Sequence, residues 1–179
     1  MRLARYAIVL LLLFVTVSLV ARIEYPVPYR QTFVEQAQAS GIDPRLALSV
    51  ARAESHFRPA AVSVKGAVGV MQLMPATALF MANAMGQKTL PPGALTNPRT
   101  NIILGVRYLG YLKRLYGGNA ILMIAAYNAG RGNVDRWLKT GQISGTASGI
   151  ATVPFSETRF FVVRVLMNYG IYRILYPTL

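Results

Sequence analysis

Few residues of this 179-residue chain could carry out acid–base chemistry. It has no cysteine, one histidine, His56, and six carboxylates, which are Glu24, Glu35, Asp43, Glu54, Asp135 and Glu157. A single histidine leaves a Ser-His-Asp triad possible, but no nucleophile-elbow pattern accompanies it, and a site with several histidine ligands is excluded. No phosphate-binding or dinucleotide glycine pattern occurs. An enzyme built from this inventory would therefore use a carboxylate, and we expect no cofactor and no metal.

Glu54 differs from the other carboxylates because its predicted helix would point its side chain into the domain. Ala47, Val50, Ala51 and Glu54 follow the spacing i, i+3, i+4 and i+7, which is one face of a helix. Burial disfavours the charged carboxyl and raises its pKa, and the negative end of the helix dipole acts in the same direction. A general acid at neutral pH needs such a raised pKa. A buried glutamate paired with an arginine for structure fits the spacing equally well.

The other carboxylates have plainer interpretations. Asp43 precedes a proline and is predicted to cap a helix, Glu35 and Asp135 are predicted to be solvated, and Glu24 falls in a linker. Glu157 would lie in the first turn of the last helix, where an acidic residue complements the helix dipole. Its interpretation stays open between that ordinary role and a place in a functional site.

Proline and glycine divide the chain into helices that would position these residues. The predicted helices are 31–40, one that begins at Asp43-Pro44, 76–85, a long one opened by Asn97-Pro98, 120–128, 134–139, and a last one capped by Ser156. In the long helix Arg99, Arg107 and Arg114 are expected to face outward, and residues 141–152 are expected to form a mobile loop. Because no segment alternates with period two, the predicted fold class is mainly α.

The chain opens with a basic pair and an apolar run. Arg2 and Arg5 precede residues 7–21, which as a helix would measure about 22 Å against a bilayer core of about 30 Å. We favour an uncleaved anchor in the cytoplasmic membrane over a cleaved signal peptide or a buried core helix. The basic pair then places the N-terminus inside and the domain on the extracytoplasmic side. The expected organisation is residues 1–22 as signal anchor or signal peptide, 23–30 as a linker, and 31–179 as one domain.

The charge balance points to an anionic partner. Sixteen of the 19 basic residues and all 6 acidic residues follow residue 22. Nucleic acid, acidic lipid and an anionic cell wall would each suit such a surface. The basic residues are scattered and the domain is predicted to be exported, so we expect no nucleic-acid partner. No feature of the sequence indicates an oligomeric state.

Four blocks of sequence carry a family resemblance. Residues 54–78 contain Glu-Ser-His-Phe-Arg-Pro and Gly-Val-Met-Gln-Leu-Met-Pro, and they are followed in order by residues 101–109, 126–130 and 153–159. In this order and spacing the blocks resemble lytic transglycosylases of the soluble lytic murein transglycosylase type, over about residues 29–176. One departure is Val70, where the family usually has leucine.

The resemblance implies a goose-type, lysozyme-like α-helical domain, here preceded by one N-terminal hydrophobic helix, with a groove for peptidoglycan strands of N-acetylglucosamine and N-acetylmuramic acid. By position, Glu54 would be the sole catalytic acid/base. Substrate-binding positions would be Ser63, Gln72, Met74, Tyr127, Asn128 and Glu157. One glutamate suits a reaction in which the 6-hydroxyl of muramic acid displaces the next sugar and forms a 1,6-anhydro ring. The alternatives are a lysozyme-like hydrolase on the same fold and a non-catalytic module that binds the cell wall.

Overall fold

The computed structural model describes residues 2–179, with the side chains of Tyr6 and of residues 8–179. Its α-helices are α1 (Arg2–Glu24), α2 (Arg30–Ser40), α3 (Pro44–Ser55), α4 (Pro75–Asn83), α5 (Pro98–Leu115), α6 (Ala120–Ala129), α7 (Arg131–Lys139) and α8 (Ser156–Leu175). A 3-10 helix, Ser148–Thr152, precedes α8. In the described part of the chain, β structure is limited to two isolated bridges, Val62 with Val68 and Val68 with Leu73. The predicted mainly α fold class is confirmed.

The core is built around α5 and α6. Helix α5 packs against α2, α4 and α6, and α6 in turn packs against α7 and α8. Ile102, Leu109, Leu112 and Ile124 are completely buried between these helices. Helix α3 lies along α8 on the other side of the core. The last turn of α3 therefore meets the loops that surround the first turn of α8.

Two predicted helix starts are confirmed. The side chain of Asp43 accepts a hydrogen bond from the backbone N–H of Arg45 at 2.9 Å, and that of Asn97 accepts one from Thr100 at 3.0 Å. Each cap is followed by proline at the first helical position. Asp43 does more than cap, because its Oδ2 also accepts a hydrogen bond from the hydroxyl of Tyr169 at 2.8 Å. This bond fastens the start of α3 to α8.

The predicted cap of the last helix is wrong. Helix α8 begins at Ser156 itself, and no side chain caps its first turn. The preceding residue, Phe155, has an extended backbone, and its ring packs edge-on against Trp137 with 4.9 Å between centroids. This contact fixes the extended residue at Phe155, so the helix starts one residue earlier than a Ser156 cap would require.

Three other differences have local causes. Helix α7 begins at Arg131 rather than near 134, since Gly130, with φ 82° and ψ 142°, ends α6 and lets the chain turn directly into the next helix. Part of the predicted loop 141–152 is the 3-10 helix. Arg107 is half-buried rather than outward, and its Nε is buried without a hydrogen-bond partner among the described residues, because neighbouring helices enclose much of α5.

The segment after α1 is held against the domain. Arg22 donates a hydrogen bond to the carbonyl oxygen of Leu175 at 3.1 Å, and its guanidinium lies 5.2 Å from the ring centroid of Tyr176. The hydroxyls of Tyr172 and Tyr176 donate to the carbonyl oxygens of Pro26 and Tyr25, both at 2.8 Å. Within the described residues, no helix is both long and apolar enough to cross a membrane. The predicted domain boundaries at residues 22 and 30 stay predictions.

Candidate active site

A groove of about 650 Å³ lies between the end of α3, the loop 61–74, α6 and the start of α8. All seven residues that the sequence singled out line it, namely Glu54, Ser63, Gln72, Met74, Tyr127, Asn128 and Glu157. Tyr108, Phe155 and Thr158 also contribute to its walls. Residues more than 100 positions apart in the chain thus meet in one concave surface, which is where ligand sites usually form.

Glu54 enters the groove from the last turn of α3. The other residues of its helix face, Ala47, Val50 and Ala51, are completely buried, so the face continues from the core to the groove floor. The pKa of the Glu54 carboxyl is raised to about 8, mainly by burial and also by the charge of Glu157, while Arg164 acts in the opposite direction. Among the described residues Glu54 forms no salt bridge. This disfavours the interpretation as a structural ion pair and leaves a carboxyl that keeps its proton at neutral pH.

The chain turns sharply immediately after Glu54. His56 and Phe57 both have left-handed backbone conformations, with φ 51° and 63°, which cost non-glycine residues about 1–2 kcal/mol each. Burial of Phe57 against Phe33, with 6.2 Å between ring centroids, offsets this cost. Ser55 anchors the turn, because its hydroxyl donates to the carbonyl oxygen of Val70 at 2.7 Å and accepts from Arg58 N–H at 3.0 Å. The Glu-Ser pair therefore joins the acid to the loop that faces it.

A buried amide holds the loop wall in place. Asn101, on α5, is fully buried, and its Oδ1 accepts a hydrogen bond from Met71 N–H at 2.7 Å. Its Nδ2 donates to the carbonyl oxygens of Val68 at 2.8 Å and Leu95 at 3.0 Å. Asn101 lies within the block 101–109 that carries the family resemblance, but its role was not predicted from the sequence. The signal that could have found it is an asparagine on an otherwise apolar helix face, since a buried amide needs partners.

The same loop requires unusual backbone at two positions. Gln72 has φ 47°, and its Nε2 donates to the carbonyl oxygens of Ala61 at 2.9 Å and Gly69 at 3.0 Å. Gly69 has φ 86°, and a Cβ there would overlap the carbonyl oxygen of Leu95 and the amide of Asn101. Glycine is needed at position 69 both for conformation and for close packing.

The opposite wall comes from α6. The hydroxyl of Tyr127 donates to the carbonyl oxygen of Met71 at 2.9 Å, and burial holds the pKa of Tyr127 well above its usual value. Asn128 accepts a hydrogen bond through Oδ1 from the hydroxyl of Thr158 at 2.7 Å. These two bonds tie α6 to the loop on one side and to α8 on the other, so the groove has a fixed floor.

An ion pair that was not predicted from the sequence crosses the mouth of the groove. Lys65 Nζ lies 2.7 Å from Glu157 Oε2, and both side chains are largely exposed. Lys65 belongs to a turn in which the N–H of Gly66 donates to the carbonyl oxygen of Ser63 at 2.9 Å. Over the described part of the molecule, no three His, Asp or Glu side chains come together as a metal site would require.

Residues 31–148 match the family model of the transglycosylase SLT domain. The match includes Glu54, Gln72 and Tyr127 and covers more than half of the chain. This chain belongs to the transglycosylase SLT domain family. The SLT-type lytic transglycosylase resemblance given by the four sequence blocks is thereby confirmed.

Curated relatives of this SLT domain align with a larger share of the chain. The chain is 39% identical over 154 residues to the soluble lytic murein transglycosylase of Escherichia coli, and 38% identical over 155 residues to that of Salmonella typhimurium. Each alignment covers 83% of this chain and 23% of the relative, so the chain spans about a quarter of the length of these relatives. The membrane-bound lytic murein transglycosylase C of Haemophilus influenzae is 39% identical over 109 residues, which cover 56% of this chain and 30% of the relative.

Solved structures of the family share the fold. The 70-kDa soluble lytic transglycosylase of Escherichia coli superposes with a TM-score of 0.79 at 35% identity, over 86% of this chain and 25% of that one. An inactive Glu→Gln variant of the lytic transglycosylase Slt of Pseudomonas aeruginosa gives 0.78 at 37% identity with the same coverage. A complex of the 70-kDa enzyme with bulgecin A gives 0.80, with the same coverage again. These neighbours confirm the predicted lysozyme-like fold.

Proposed function

We propose that this chain is a peptidoglycan lytic transglycosylase in which Glu54 acts first as the acid and then as the base. The observation that carries the proposal is the Glu54 carboxyl, which is held in the groove with a pKa of about 8. The family supports the reaction class, since the curated relatives are named lytic murein transglycosylases. A relative inactivated by a glutamate-to-glutamine change supports dependence on one such acid.

The reaction begins with proton transfer from Glu54 to the glycosidic oxygen between N-acetylmuramic acid and N-acetylglucosamine. The C1–O bond of muramic acid breaks, and the N-acetylglucosamine end leaves with that proton. The Glu54 carboxylate then takes the proton from the 6-hydroxyl of the same muramic acid, and the oxygen of that hydroxyl forms a bond to C1. The product is a 1,6-anhydro ring, no water is consumed, and Glu54 regains its proton.

One carboxylate is sufficient for this route because the nucleophile is part of the substrate. Glycosidases that use water need a second carboxylate to activate it or to form a covalent intermediate. An internal hydroxyl has a high effective molarity, so Glu54 itself can serve as its base after giving up the first proton, and no second carboxylate is required. Glu157 has a different task in the proposal: its charge raises the pKa of Glu54, and it lines the sugar groove with Ser63, Gln72 and Met74.

The decisive experiment is digestion of purified peptidoglycan sacculi by the wild-type chain and by Glu54→Gln, with the products analysed by mass spectrometry. We expect anhydromuropeptides from the wild type and none from the folded variant. The matched control is Glu35→Gln, since Glu35 is an exposed carboxylate on α2 that accepts a hydrogen bond from Gln31 at 2.8 Å. Retained activity in Glu54→Gln would overturn the assignment.

A lysozyme-like hydrolase is the second candidate, favoured by the presence of Glu157 in the same groove. In that reaction Glu157 would position a water, and the products would carry reducing ends. Digestion in ¹⁸O-labelled water separates the two reactions, because only hydrolysis adds labelled oxygen to the muramic acid product. A chain that bound sacculi but released neither product would instead be the non-catalytic wall-binding module.

We further propose that residues 7–21 attach the domain to the cytoplasmic membrane, with the groove on the extracytoplasmic side. The large apolar side chains of α1 described between Ile8 and Val20 are all exposed, which leaves them available to lipid. Arg22 and Tyr25 hold the end of α1 to α8, so the domain would stay close to the membrane surface. The membrane-bound relative from Haemophilus influenzae supports such a location within the family.

A further inference from the structure

Helix α8 is apolar on two opposite faces. Its inner face carries the buried residues Phe161, Val165 and Tyr172, which pack into the core. Its outer face carries four large apolar side chains that are open to solvent, namely Phe160, Val163, Met167 and Ile174, exposed by 68%, 42%, 63% and 80%. The spacing i, i+3, i+7 and i+14 places these four residues in one stripe along the helix. We call this stripe the outer face of α8.

Such a stripe is not what a solvated helix presents. A surface helix normally turns polar residues outward, and a helix that is apolar all round is covered on every side. A contiguous exposed apolar patch marks a place where something binds. The outer face of α8 is therefore a candidate binding surface.

The charges beside the stripe argue against a second copy of this chain as that partner. The four residues occupy the a and d positions of a heptad, so two copies could in principle pair through them. Beside these four residues the e and g positions include Arg159, Arg164 and Arg173, and the one acidic residue of α8, Glu157, lies at an e position before Phe160 and is already paired with Lys65. Pairing two such helices would place arginines opposite arginines, and that repulsion disfavours self-association.

The same charges favour an anionic, apolar occupant. A helix with an apolar stripe and basic borders fits a lipid surface, where the apolar side chains enter the acyl boundary and the arginines meet phosphate groups. The end of α8 is also where α1 joins the domain, through the hydrogen bond from Arg22 to Leu175. Attachment of α1 to a membrane would bring the outer face of α8 close to the same surface.

We infer that the outer face of α8 rests on the anionic lipid surface of the membrane, so that the domain lies against the bilayer. The inference builds on the proposed attachment of residues 7–21 and adds a second contact, made by the folded domain itself. A protein partner with an acidic surface is the competing occupant, and in that case vesicles would leave the signal from the outer face of α8 unchanged.

The test uses the full chain, which has no natural cysteine and can therefore be labelled at single introduced positions. An environment-sensitive fluorophore is placed at Met167→Cys in the stripe, at Leu12→Cys in α1, and at Arg114→Cys as control. Arg114 is exposed on α5, which packs against α2, α4 and α6. Because residues 12, 114 and 167 are all exposed, the substitutions leave the core unchanged. Emission is measured with and without vesicles of phosphatidylcholine, alone or mixed with phosphatidylglycerol.

We expect vesicles containing phosphatidylglycerol to move the emission at position 167 to shorter wavelength, pure phosphatidylcholine to do so less, and position 114 to stay unchanged. An unchanged signal at 167 while position 12 shifts would overturn the inference and leave the attachment of α1 standing. A shift at 167 but not at 12 would support the α8 contact and contradict the attachment of α1. A shift at 167 that appears without vesicles and grows with protein concentration would identify a second copy and also overturn the inference.

Discussion

Glu54 in the last turn of α3 and Glu157 in the first turn of α8 line the same groove, and the negative charge of Glu157 adds to burial in raising the pKa of Glu54. Two carboxylates in one groove could both be ionised, both be neutral, or differ, with one protonated and the other ionised. Their surroundings differ, because Glu54 is partly buried at the base of the groove whereas Glu157 is largely exposed and paired with Lys65. In the proposed reaction, Glu54 is the proton donor of the pair.

The pKa of Glu54 sets the pH dependence of the proposed reaction. The proton-donating step needs the neutral carboxyl, so kcat/KM for release of anhydromuropeptides should fall as the pH rises through about 8. Glu157→Gln removes a charge that raises this pKa and should move the alkaline limb to lower pH. Initial rates between pH 5 and about 10 would show it. An alkaline limb that stays in place or moves upward in Glu157→Gln would contradict the electrostatic coupling.

The raised pKa also predicts an effect on stability. The carboxyl of Glu54 ionises near 4.5 when unfolded and near 8 when folded, so the folded state binds the proton more tightly and the free energy of unfolding falls as the pH rises between these values. Glu54→Gln lacks this loss. We expect the free energy of unfolding of the variant, relative to that of the wild type, to increase by a few kcal/mol from pH 5 to pH 9, at about 1.4 kcal/mol per unit of pKa shift. Urea unfolding at both pH values measures it, and Glu35→Gln should show no comparable gain.

Two glycines of the loop wall should differ sharply when replaced by alanine. Gly66 and Gly69 both have positive φ, but nothing lies within 4 Å of a Cβ at Gly66, while one at Gly69 would overlap the backbone of Leu95. Gly66→Ala should cost about 1 kcal/mol for its backbone conformation alone. Gly69→Ala adds overpacking against a rigid carbonyl and should cost about 3 kcal/mol or more. Equal losses in urea unfolding would show that the loop relaxes around position 69.

Asn101→Ala should weaken both stability and activity. It leaves Met71 N–H and the carbonyl oxygens of Val68 and Leu95 without their partner, at a cost of about 3 kcal/mol. Because these bonds hold the loop that carries Gln72, the rate on sacculi should also fall in the variant that remains folded. The control on the same helix is Asn97→Ala, an exposed cap whose loss should cost about 1 kcal/mol without changing the rate. If Asn101→Ala were as stable as the wild type and had a normal rate, contacts other than those of Asn101 would hold the loop in place.

Local sequence signals predicted the parts of this molecule that depend on neighbours in the chain. The starts of α3 and α5 follow from Asp43-Pro44 and Asn97-Pro98, and the inward direction of Glu54 follows from the spacing of its helix face. The resemblance to the family singled out the remaining groove-lining residues, whose roles in binding stay predictions.

The features that the sequence did not reveal depend on distant contacts. The three bonds of Asn101 and the pairing of Lys65 with Glu157, 92 positions away, have no local signature. Arg107 was placed outward by periodicity, whereas the packing of α5 against three helices leaves little of its surface free. Phe155 displaced the start of α8 through its contact with Trp137. In each case tertiary packing decided an outcome that local preference left open.

The bond from Tyr169 to Asp43 fixes α3 to α8 well away from the groove, and Asn168 adds a second fastening through Ser49 at 3.4 Å. The two helices that carry Glu54 and Glu157 consequently form one rigid unit, whereas the turn around Lys65 is joined to α8 by a single exposed ion pair. For the proposed reaction, we expect substitutions in that turn to change which sugars or peptide stems enter the groove while the spacing of the two acids is preserved. Selectivity and proton transfer in the proposed enzyme would thus be open to separate adjustment, both by evolution and by protein engineering.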